Sequence, residues 1–156
     1  MRILGIDPGS TKMGFAILKE EGGSLSALTY GTTSIKEKEL PEKLRAVREQ
    51  LLKIIKTNKP DLVGVEQLFF AKNKKTAIEV AHARGVIVLT ILEQGIPLLE
   101  FTPAQVKIAV TNYGASNKQA VLKMVCAILK IPDFKGDDNA ADALAVGITA
   151  AYHRQY

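Results

Sequence analysis

The chain has 156 residues, a formal net charge of +5, and 47% hydrophobic residues. This length and composition fit one globular domain over residues 1–156, and the longest apolar run, 86–92, is far too short to span a bilayer. The single Cys126 excludes an internal disulfide and a cysteine zinc cluster. We therefore expect a cytoplasmic protein without a membrane segment, whose moderate basic excess suits an anionic partner such as nucleic acid without proving one.

Two short apolar runs, 3–6 and 15–18, flank a turn cluster rich in Gly, Pro and Ser. This pattern is typical of two antiparallel strands joined by a tight connection. The first strand ends at Asp7, after which Pro8 and Gly9 turn the chain out of the sheet. A buried carboxylate is costly unless it is paired, although a turn Asp that accepts backbone N–H bonds is the ordinary alternative.

A third strand is predicted to complete an antiparallel meander after a turn at 22–23. Residues 24–30 are predicted as loop and 31–35 as the strand itself. An amphipathic helix follows, which begins near Pro41 and ends with Asn58 as its cap. Its apolar residues recur at helical spacing: Leu44, Val47, Leu51, Ile54 and Ile55.

Residues 62–65 predict a short buried strand, parallel to a neighbour because a helical crossover precedes it. This strand also closes on an acid, Glu66. A loop over 67–75 follows, and then a helix from Thr76 to Gln94 whose second half is apolar nearly all round. Such a helix is buried on more than one side, either inside this domain or against another subunit.

Residues 97–101 predict a fifth strand. Thr102 is a candidate N-cap for the next helix, which holds Lys107. Ser116 is predicted to cap the helix after that, with Lys118 in its first turn. A lysine there opposes the helix dipole, so an external anion would make the placement favourable.

The last predicted helix starts at Asp137 or Asp138 and runs to about Tyr152. Asp142 lies on its Ala-rich surface, which can pack closely against a sheet. Positions three and four residues before Asp142 share its face of the helix, and these are Asn139 and Asp138.

Asp7 and Glu66 end two strands that we expect to be parallel neighbours, and crevices outside such strand ends bind ligands in open α/β sheets. With Asp142 they would place several oxygen donors in one cleft, where like charges resist joint ionisation. Divalent cations relieve that repulsion, and oxygen ligands without His or Cys favour Mg²⁺ or Mn²⁺. Two such ions clamp the attacking and leaving oxygens of a phosphodiester displacement.

Four segments, in this order and at these distances, resemble the RuvC family of Holliday junction resolvases, which have the ribonuclease H-like fold: GIDPGSTKMGFAIL, VGVEQLFFAKN, AHARGV and NAADALAVGI. The resemblance covers essentially the whole chain. It implies an α/β fold with a five-stranded mixed sheet, an antiparallel meander plus parallel strands, flanked by helices. It also implies a homodimeric, Mg²⁺-dependent crossover junction endodeoxyribonuclease. Such an enzyme nicks two strands of like polarity at four-way DNA junctions in recombination and repair, with RuvA and RuvB as partners.

The resemblance also implies residue roles. Asp7, Glu66 and Asp142 would be metal ligands, while Lys107 and Lys118 would lie near the scissile phosphate. Phe69 would stack on bases at the open junction. The residues that we assign to DNA contact are Phe69, Phe70, Lys72, Lys74, Lys75, Arg84, Lys107 and Lys118.

One position departs from the family pattern. The last motif usually has a second acid, or sometimes His, three residues before the final Asp, and here that residue is Asn139. Asn ligates through its amide oxygen but brings no charge, so the metal affinity or the rate is expected to be lower. We predict Asn139 as the fourth ligand, with Asp138 as the alternative.

Three other functions stay open at this point. Asn139 motivates a junction-binding protein with weakened catalysis. A ribonuclease H-like RNA-processing nuclease shares the fold, but the Phe-Phe-Ala-Lys-Asn loop and Lys118 argue against it. An actin-like or sugar-kinase ATPase also opens on a strand, an Asp and a Gly/Ser turn, but it needs two copies of the domain and this chain has one.

Overall fold

A computed structural model describes residues 1–67 and 74–153 of the chain. The strands are β1 (Arg2–Asp7), β2 (Lys12–Glu21), β3 (Ser24–Ser34), β4 (Leu62–Glu66) and β5 (Leu98–Phe101). The helices are α1 (Leu40–Asn58), α2 (Lys74–Glu93), α3 (Pro103–Thr111), α4 (Lys118–Leu129) and α5 (Asp138–His153). The strands form one mixed sheet in the order β3-β2-β1-β4-β5, which confirms the predicted architecture.

β1 lies at the centre of the sheet, antiparallel to β2 and parallel to β4. β5 continues the parallel part on the far side of β4. The register pairs Ile6 with Val65, so the residues that follow them, Asp7 and Glu66, come side by side where the two strands end. The prediction that the two strands ending in Asp7 and Glu66 are parallel neighbours is therefore confirmed.

Helices cover both faces of the sheet. α1 and α2 pack on one face, and α3, α4 and α5 pack on the other. In β1, Ile3 joins the core beneath α5 while Leu4 and Ile6 join the core beneath α1 and α2, as expected for a strand covered on both faces. All three side chains are fully buried, and each such burial contributes roughly 1.5–3 kcal/mol.

The prediction of a loop over 24–30 is wrong, because β3 already covers this segment. Its residues that pack against the core are Leu25, Ala27 and Tyr30. A register shift opposite Ile17 and Leu18 leaves Leu28 without a partner on β2, and Leu28 is half exposed. This β-bulge breaks the alternation of inward and outward residues, and so it hid the strand from the sequence pattern.

Two predicted helix ends are displaced by one residue. α4 is capped by the side chain of Asn117 and not by Ser116. Ser116 is buried, and its hydroxyl shares a 2.7 Å hydrogen bond with that of Thr111. At the end of α1, Lys59 rather than Asn58 takes the left-handed conformation. In both places the capping role falls to a residue directly beside the expected one.

α2 buries only one of its sides against the described part of the chain. Its fully buried apolar residues are Ala83, Ile87 and Ile91. Its exposed large apolar residues are Ile78, Leu89 and Leu92, each 58% exposed. Of the two alternatives for this helix, burial of both sides inside the domain is therefore not observed among the described residues. No described helix, α2 included, is long and apolar enough to cross a membrane.

Candidate active site

The candidate site begins with the two acids that end β1 and β4. After Asp7, the turn at Pro8 directs the chain away from the sheet. Glu66 stays in register with Phe101 of β5, and the backbone N–H of Gln67 donates to the Phe101 carbonyl at 2.7 Å. Strand pairing holds the backbone of both residues in place. Both residues are half-buried, so solvent reaches this edge of the sheet only in part.

α5 brings the third acid, Asp142, to the same region. The helix approaches β1 closely because Gly5 has no side chain, and a Cβ there would overlap the carbonyl oxygen of Ala143. Gly14 of β2 lies in the same way against the carbonyl oxygen of Asn139. These two contacts seat the first turns of α5 on the strands, and Asp142 is half-buried there.

The pKa values of the three carboxyl groups are all raised, chiefly by burial and in part by neighbouring acids. Burial, together with the charges of Glu66 and Asp142, raises the pKa of Asp7 to about 8. Burial, followed by the charge of Asp142, raises the pKa of Glu66 to about 7. The pKa of Asp142 is also raised, chiefly by burial. At neutral pH the three groups therefore resist carrying their charges together unless a cation joins them.

Lys118 supplies positive charge at this place. It is the first residue of α4, and its ammonium lies 3.0 Å from Asp138 Oδ2 and 3.5 Å from Asp142 Oδ2. The hydrogen bond to Asp138 is the main reason that the pKa of Lys118 is raised. The ammonium also lowers the pKa of Asp7 and Glu66, against the larger effect of burial.

A cleft of about 260 Å³ joins the acids to the lysines. Its lining includes Glu66, Lys107, Lys118 and Asp142. Thr102 forms the N-cap of α3, as predicted, within a capping box, and this helix start positions Lys107. The cleft therefore presents two carboxylates and two ammonium groups to a molecule that enters it.

The two predicted candidates for a fourth ligand lie in the first turn of α5. Asp138 is exposed and pairs with Lys118. Asn139 is half-buried, and its amide Nδ2 donates to Asp137 Oδ2 at 3.3 Å. Asp137, expected only as a possible helix start, also accepts a hydrogen bond from the hydroxyl of Thr32. The sequence offered no signal for this contact, because its two partners lie 105 residues apart.

The donor set fits a hard divalent cation by its chemistry, since all the candidate ligands are oxygen donors. Within residues 1–67 and 76–153, however, no group of three or more His, Cys, Asp or Glu side chains is placed to hold a metal ion. The structure thus brings Asp7, Glu66 and Asp142 into electrostatic contact without closing them around one point. The cation that pairs with Asp142 here is the ammonium of Lys118.

Comparison with known proteins decides the family. A family model described as crossover junction endodeoxyribonuclease RuvC matches residues 3–150. This chain belongs to the RuvC family. The RuvC of Syntrophomonas wolfei is 44% identical over 149 residues, which cover 95% of this chain and 87% of that protein. The RuvC of Thermosipho melanesiensis is 43% identical over 157 residues and covers 100% of both chains.

A solved structure supports the same assignment and confirms the fold. The structure of T. thermophilus RuvC in complex with Holliday junction substrate matches with a TM-score of 0.86 and 28% sequence identity. The match covers 98% of this chain and 94% of that one. The resemblance of the four sequence segments to RuvC is thereby confirmed, together with the ribonuclease H-like sheet and its flanking helices.

Apart from Lys107 and Lys118, the residues that we assign to DNA contact lie between positions 69 and 84 of the sequence. Three of them lie outside the described residues: Phe69, Phe70 and Lys72. Lys74 and Lys75 form the beginning of α2. Arg84, further along the same helix, pairs with Glu100 of β5, a contact that the sequence analysis did not predict.

Proposed function

We propose that this chain is a crossover junction endodeoxyribonuclease, which nicks two strands of like polarity at a four-way DNA junction in recombination and DNA repair. One observation carries the proposal. The charges of Glu66 and Asp142 act on Asp7, and the cleft that Glu66 and Asp142 line also presents Lys107 and Lys118. Membership of the RuvC family over nearly the whole chain supports the same reaction.

RuvC proteins are metal-dependent nucleases, and in this proposal Asp7, Glu66 and Asp142 hold the metal, with Asn139 as a neutral fourth ligand. Oxygen donors of this kind suit Mg²⁺, with Mn²⁺ as a replacement, and the proposal places two ions in each site. When bound, such cations polarise the phosphodiester and activate water. The task of the acids is to hold the ions. Because their pKa values are raised, cation binding near neutral pH must displace protons from them.

Lys107 and Lys118 act on the scissile phosphate in this proposal. The side chains of Lys118 and Asp138 are 67% and 78% exposed, so their ion pair contributes at most about 1 kcal/mol. A phosphate that enters the cleft therefore competes easily with Asp138. An oxygen that gains charge in the transition state attracts a preplaced ammonium more strongly than the ground-state phosphate does.

Recognition of the open junction belongs, in this proposal, to residues around the start of α2. Phe69 and Phe70 stack on bases at the crossover, where base–aromatic stacking is worth roughly 1–3 kcal/mol per base. The further residues proposed to contact DNA phosphates are Lys72, Lys74, Lys75 and Arg84. The net charge of +5 supports binding to a polyanion.

A second copy of the chain is proposed to cover the exposed face of α2. Ile78, Gly85, Leu89 and Leu92 recur at spacings that place them on one face of the helix. Apart from the backbone of α2 itself, a Cβ at Gly85 would meet no atom of the described residues within 4 Å, although Gly inside a helix costs roughly 0.5–1 kcal/mol relative to Ala. The absence of a side chain at Gly85 would allow a second helix to pack closely against α2, which would offset this cost. A two-fold homodimer would also present two equivalent sites to the two strands.

RuvA and RuvB, the branch-migration proteins, are the further partners that we propose. Since the substrate is a junction in cellular DNA, we place the activity in the cytoplasm of a bacterial cell. Pull-down of RuvA and RuvB on a synthetic junction, with and without this protein, tests the partnership.

The test of the main proposal compares nicking and binding on a synthetic four-way junction. Asp7→Asn and Glu66→Gln are expected to abolish nicking in Mg²⁺ and to leave junction affinity nearly unchanged, because lysines supply most of the binding. Asp133→Asn is the matched control, since Asp133 is 75% exposed and pairs with Lys135. Equal losses of binding and cleavage would show that Asp7 and Glu66 are structural.

The choice of substrate separates the remaining alternatives. The proposal expects Mg²⁺-dependent nicking of the junction in preference to plain duplex and to an RNA–DNA hybrid. Preferred cleavage of the hybrid would favour an RNA-processing nuclease. Tight junction binding without nicking in Mg²⁺ or Mn²⁺ would favour the non-catalytic binding protein that Asn139 suggests.

A further inference from the structure

Asp137 makes a set of contacts that the proposed reaction does not use. Its Oδ1 accepts a hydrogen bond from the backbone N–H of Ala140 at 3.1 Å and another from the hydroxyl of Thr32 on β3. Its Oδ2 accepts a hydrogen bond from Asn139 Nδ2 at 3.3 Å and lies 3.9 Å from Lys12 Nζ on β2. One carboxylate thus joins the first turn of α5 to two neighbouring strands.

The contact with Asn139 fixes the orientation of its amide. An amide side chain has a donor end and an acceptor end, whereas a carboxylate only accepts. When Nδ2 donates to Asp137, the acceptor oxygen Oδ1 lies at the opposite end of the same planar group and is available to another partner. The backbone of Asn139 is held as well, because Gly14 of β2 packs directly against its carbonyl oxygen.

We propose that Asp137 is a positioning residue. It orients the amide of Asn139 so that the amide oxygen can bind a cation, and it holds the first turn of α5 against the edge of the sheet. The inference rests on the proposed function, in which Asn139 and Asp142 bind metal. A carboxylate hydrogen-bonded to a ligand's N–H group increases the basicity of the ligand and fixes its direction. Asn139 is neutral, but the carboxylate of Asp137, to which it is hydrogen-bonded, places a negative charge next to the proposed site.

Asp137 and Asp138 have different partners. The ammonium of Lys118 pairs with Asp138, while Asp137 pairs with Asn139 and with groups of β2 and β3. The charge of Asp137 also acts on Asp7. Asp137 and Asp138 are the two residues that precede Asn139 in the chain. In the described part of the structure, only Asp137 is hydrogen-bonded to the amide of Asn139.

Cation binding to the DNA-free protein tests this role apart from nicking. The measurement is titration calorimetry with Mn²⁺, together with the Tm shift that Mg²⁺ produces. Asp137→Ser keeps an N-cap for α5 but removes the charge and shortens the side chain, so we expect the Kd for Mn²⁺ to rise about ten-fold or more. Asp133→Ser removes a carboxylate from the preceding loop and is the matched control, with an unchanged Kd.

A second comparison separates positioning from capping. In Asn139→Asp the ligand carries its own charge and has no amide to orient, so adding Asp137→Ser should weaken Mn²⁺ binding by a clearly smaller factor than in the parent. Loss of a cap alone would weaken it equally in both backgrounds. If Asp137→Ser proves poorly folded, Asp137→Asn offers a neutral side chain of the same shape that still caps the helix.

Two results overturn the inference: a parental Kd for Mn²⁺ in Asp137→Ser, or equal losses in the parent and Asn139→Asp backgrounds. Asp7→Asn tests the proposed function separately. If Asp7→Asn binds Mn²⁺ as the parent does, the cation site itself is refuted and the role of Asp137 falls with it. If Asp7→Asn loses Mn²⁺ binding while Asp137→Ser retains it, only the role of Asp137 is refuted.

Discussion

At the level of single residues, Lys118 connects the fold to the proposed chemistry. Its ammonium lies 3.0 Å from Asp138 and 3.5 Å from Asp142, so in the free protein it balances carboxylate charge. The residue is also the first of α4, where the helix dipole disfavours a cation. The neighbouring acids offset that penalty, and a phosphate in the cleft would offset it again.

We predict that Lys118→Ala slows single-turnover nicking by about 100-fold at saturating junction, since a preplaced donor acts mainly in the transition state. Junction affinity should fall only slightly, because one phosphate contact among many is lost. Lys123→Ala, which removes an exposed lysine of the same helix, is the control. Normal cleavage by Lys118→Ala would make Lys118 a surface charge only.

Asp7 is expected to lower the stability of the metal-free protein. Its carboxylate is desolvated and lies near two other acids, which together raise its pKa to about 8. We predict that Asp7→Asn has a higher Tm than the parent at pH 8 in EDTA, while its nicking is lost. Differential scanning calorimetry at matched protein concentration measures this. A lower Tm would mean that the Asp7 carboxylate makes a stabilising contact.

At the level of elements, the close approach of α5 to β1 determines where Asp142 lies. Gly5 permits this approach because a Cβ would overlap the backbone of Ala143. We predict that Gly5→Ala destabilises the protein by at least about 1–3 kcal/mol and reduces nicking by displacing α5. Urea unfolding provides the free energy of unfolding.

Gly31→Ala is the control for this prediction. A Cβ at Gly31 would lie 3.5 Å from the ring of Phe15, which is an ordinary van der Waals distance. Its unfolding free energy should therefore stay close to that of the parent. If both variants unfold alike, the close contact between α5 and β1 does not limit stability.

The exposed face of α2 predicts the oligomeric state. Leu89→Asp places a charge in the middle of an apolar face that we propose to be covered by a second copy, and burial of an unpaired charge is strongly unfavourable. We expect this variant to sediment as a monomer while the parent sediments as a dimer. Leu28→Asp is the control, because Leu28 is also a half-exposed leucine but lies on β3. A parent that sediments as a monomer at all concentrations would refute the dimer.

For the whole molecule, the sequence was sufficient wherever local pattern and strand direction decide the structure. The buried runs that end in Asp7 and Glu66 predicted two parallel neighbours, and the Ala-rich helix predicted the close packing that brings in Asp142. Long-range side-chain contacts left no pattern to read. The hydrogen bond between Thr32 and Asp137 is one example. An irregularity of strand pairing was equally hidden, since the bulge at Leu28 broke the alternation by which β3 could have been predicted. Phe69 and its neighbours lie outside the described residues, so their roles stay predictions.

The acids also make the stability of the whole molecule depend on pH. Asp and Glu ordinarily titrate near 3.8 and 4.5, whereas Asp7 and Glu66 titrate at about 8 and about 7 in the folded protein. Between these values the folded state binds more protons than the unfolded state, so stability falls as pH rises. The contribution of these two acids to the free energy of unfolding is fully present below their ordinary pKa values. It is lost as the pH rises through their pKa values in the folded protein.

We therefore predict that the Tm of the protein in EDTA declines between roughly pH 5 and pH 8.5, over the window in which these two acids ionise. Mg²⁺ should raise the Tm more at pH 8 than at pH 6, because at lower pH the cation must displace protons from its ligands. In Asp7→Asn the decline should be shallower and the effect of Mg²⁺ should largely disappear. If the Tm of Asp7→Asn depends on pH as that of the parent does, the decline comes from other groups. If the effect of Mg²⁺ on the Tm of the parent does not depend on pH, the cation binds away from these acids.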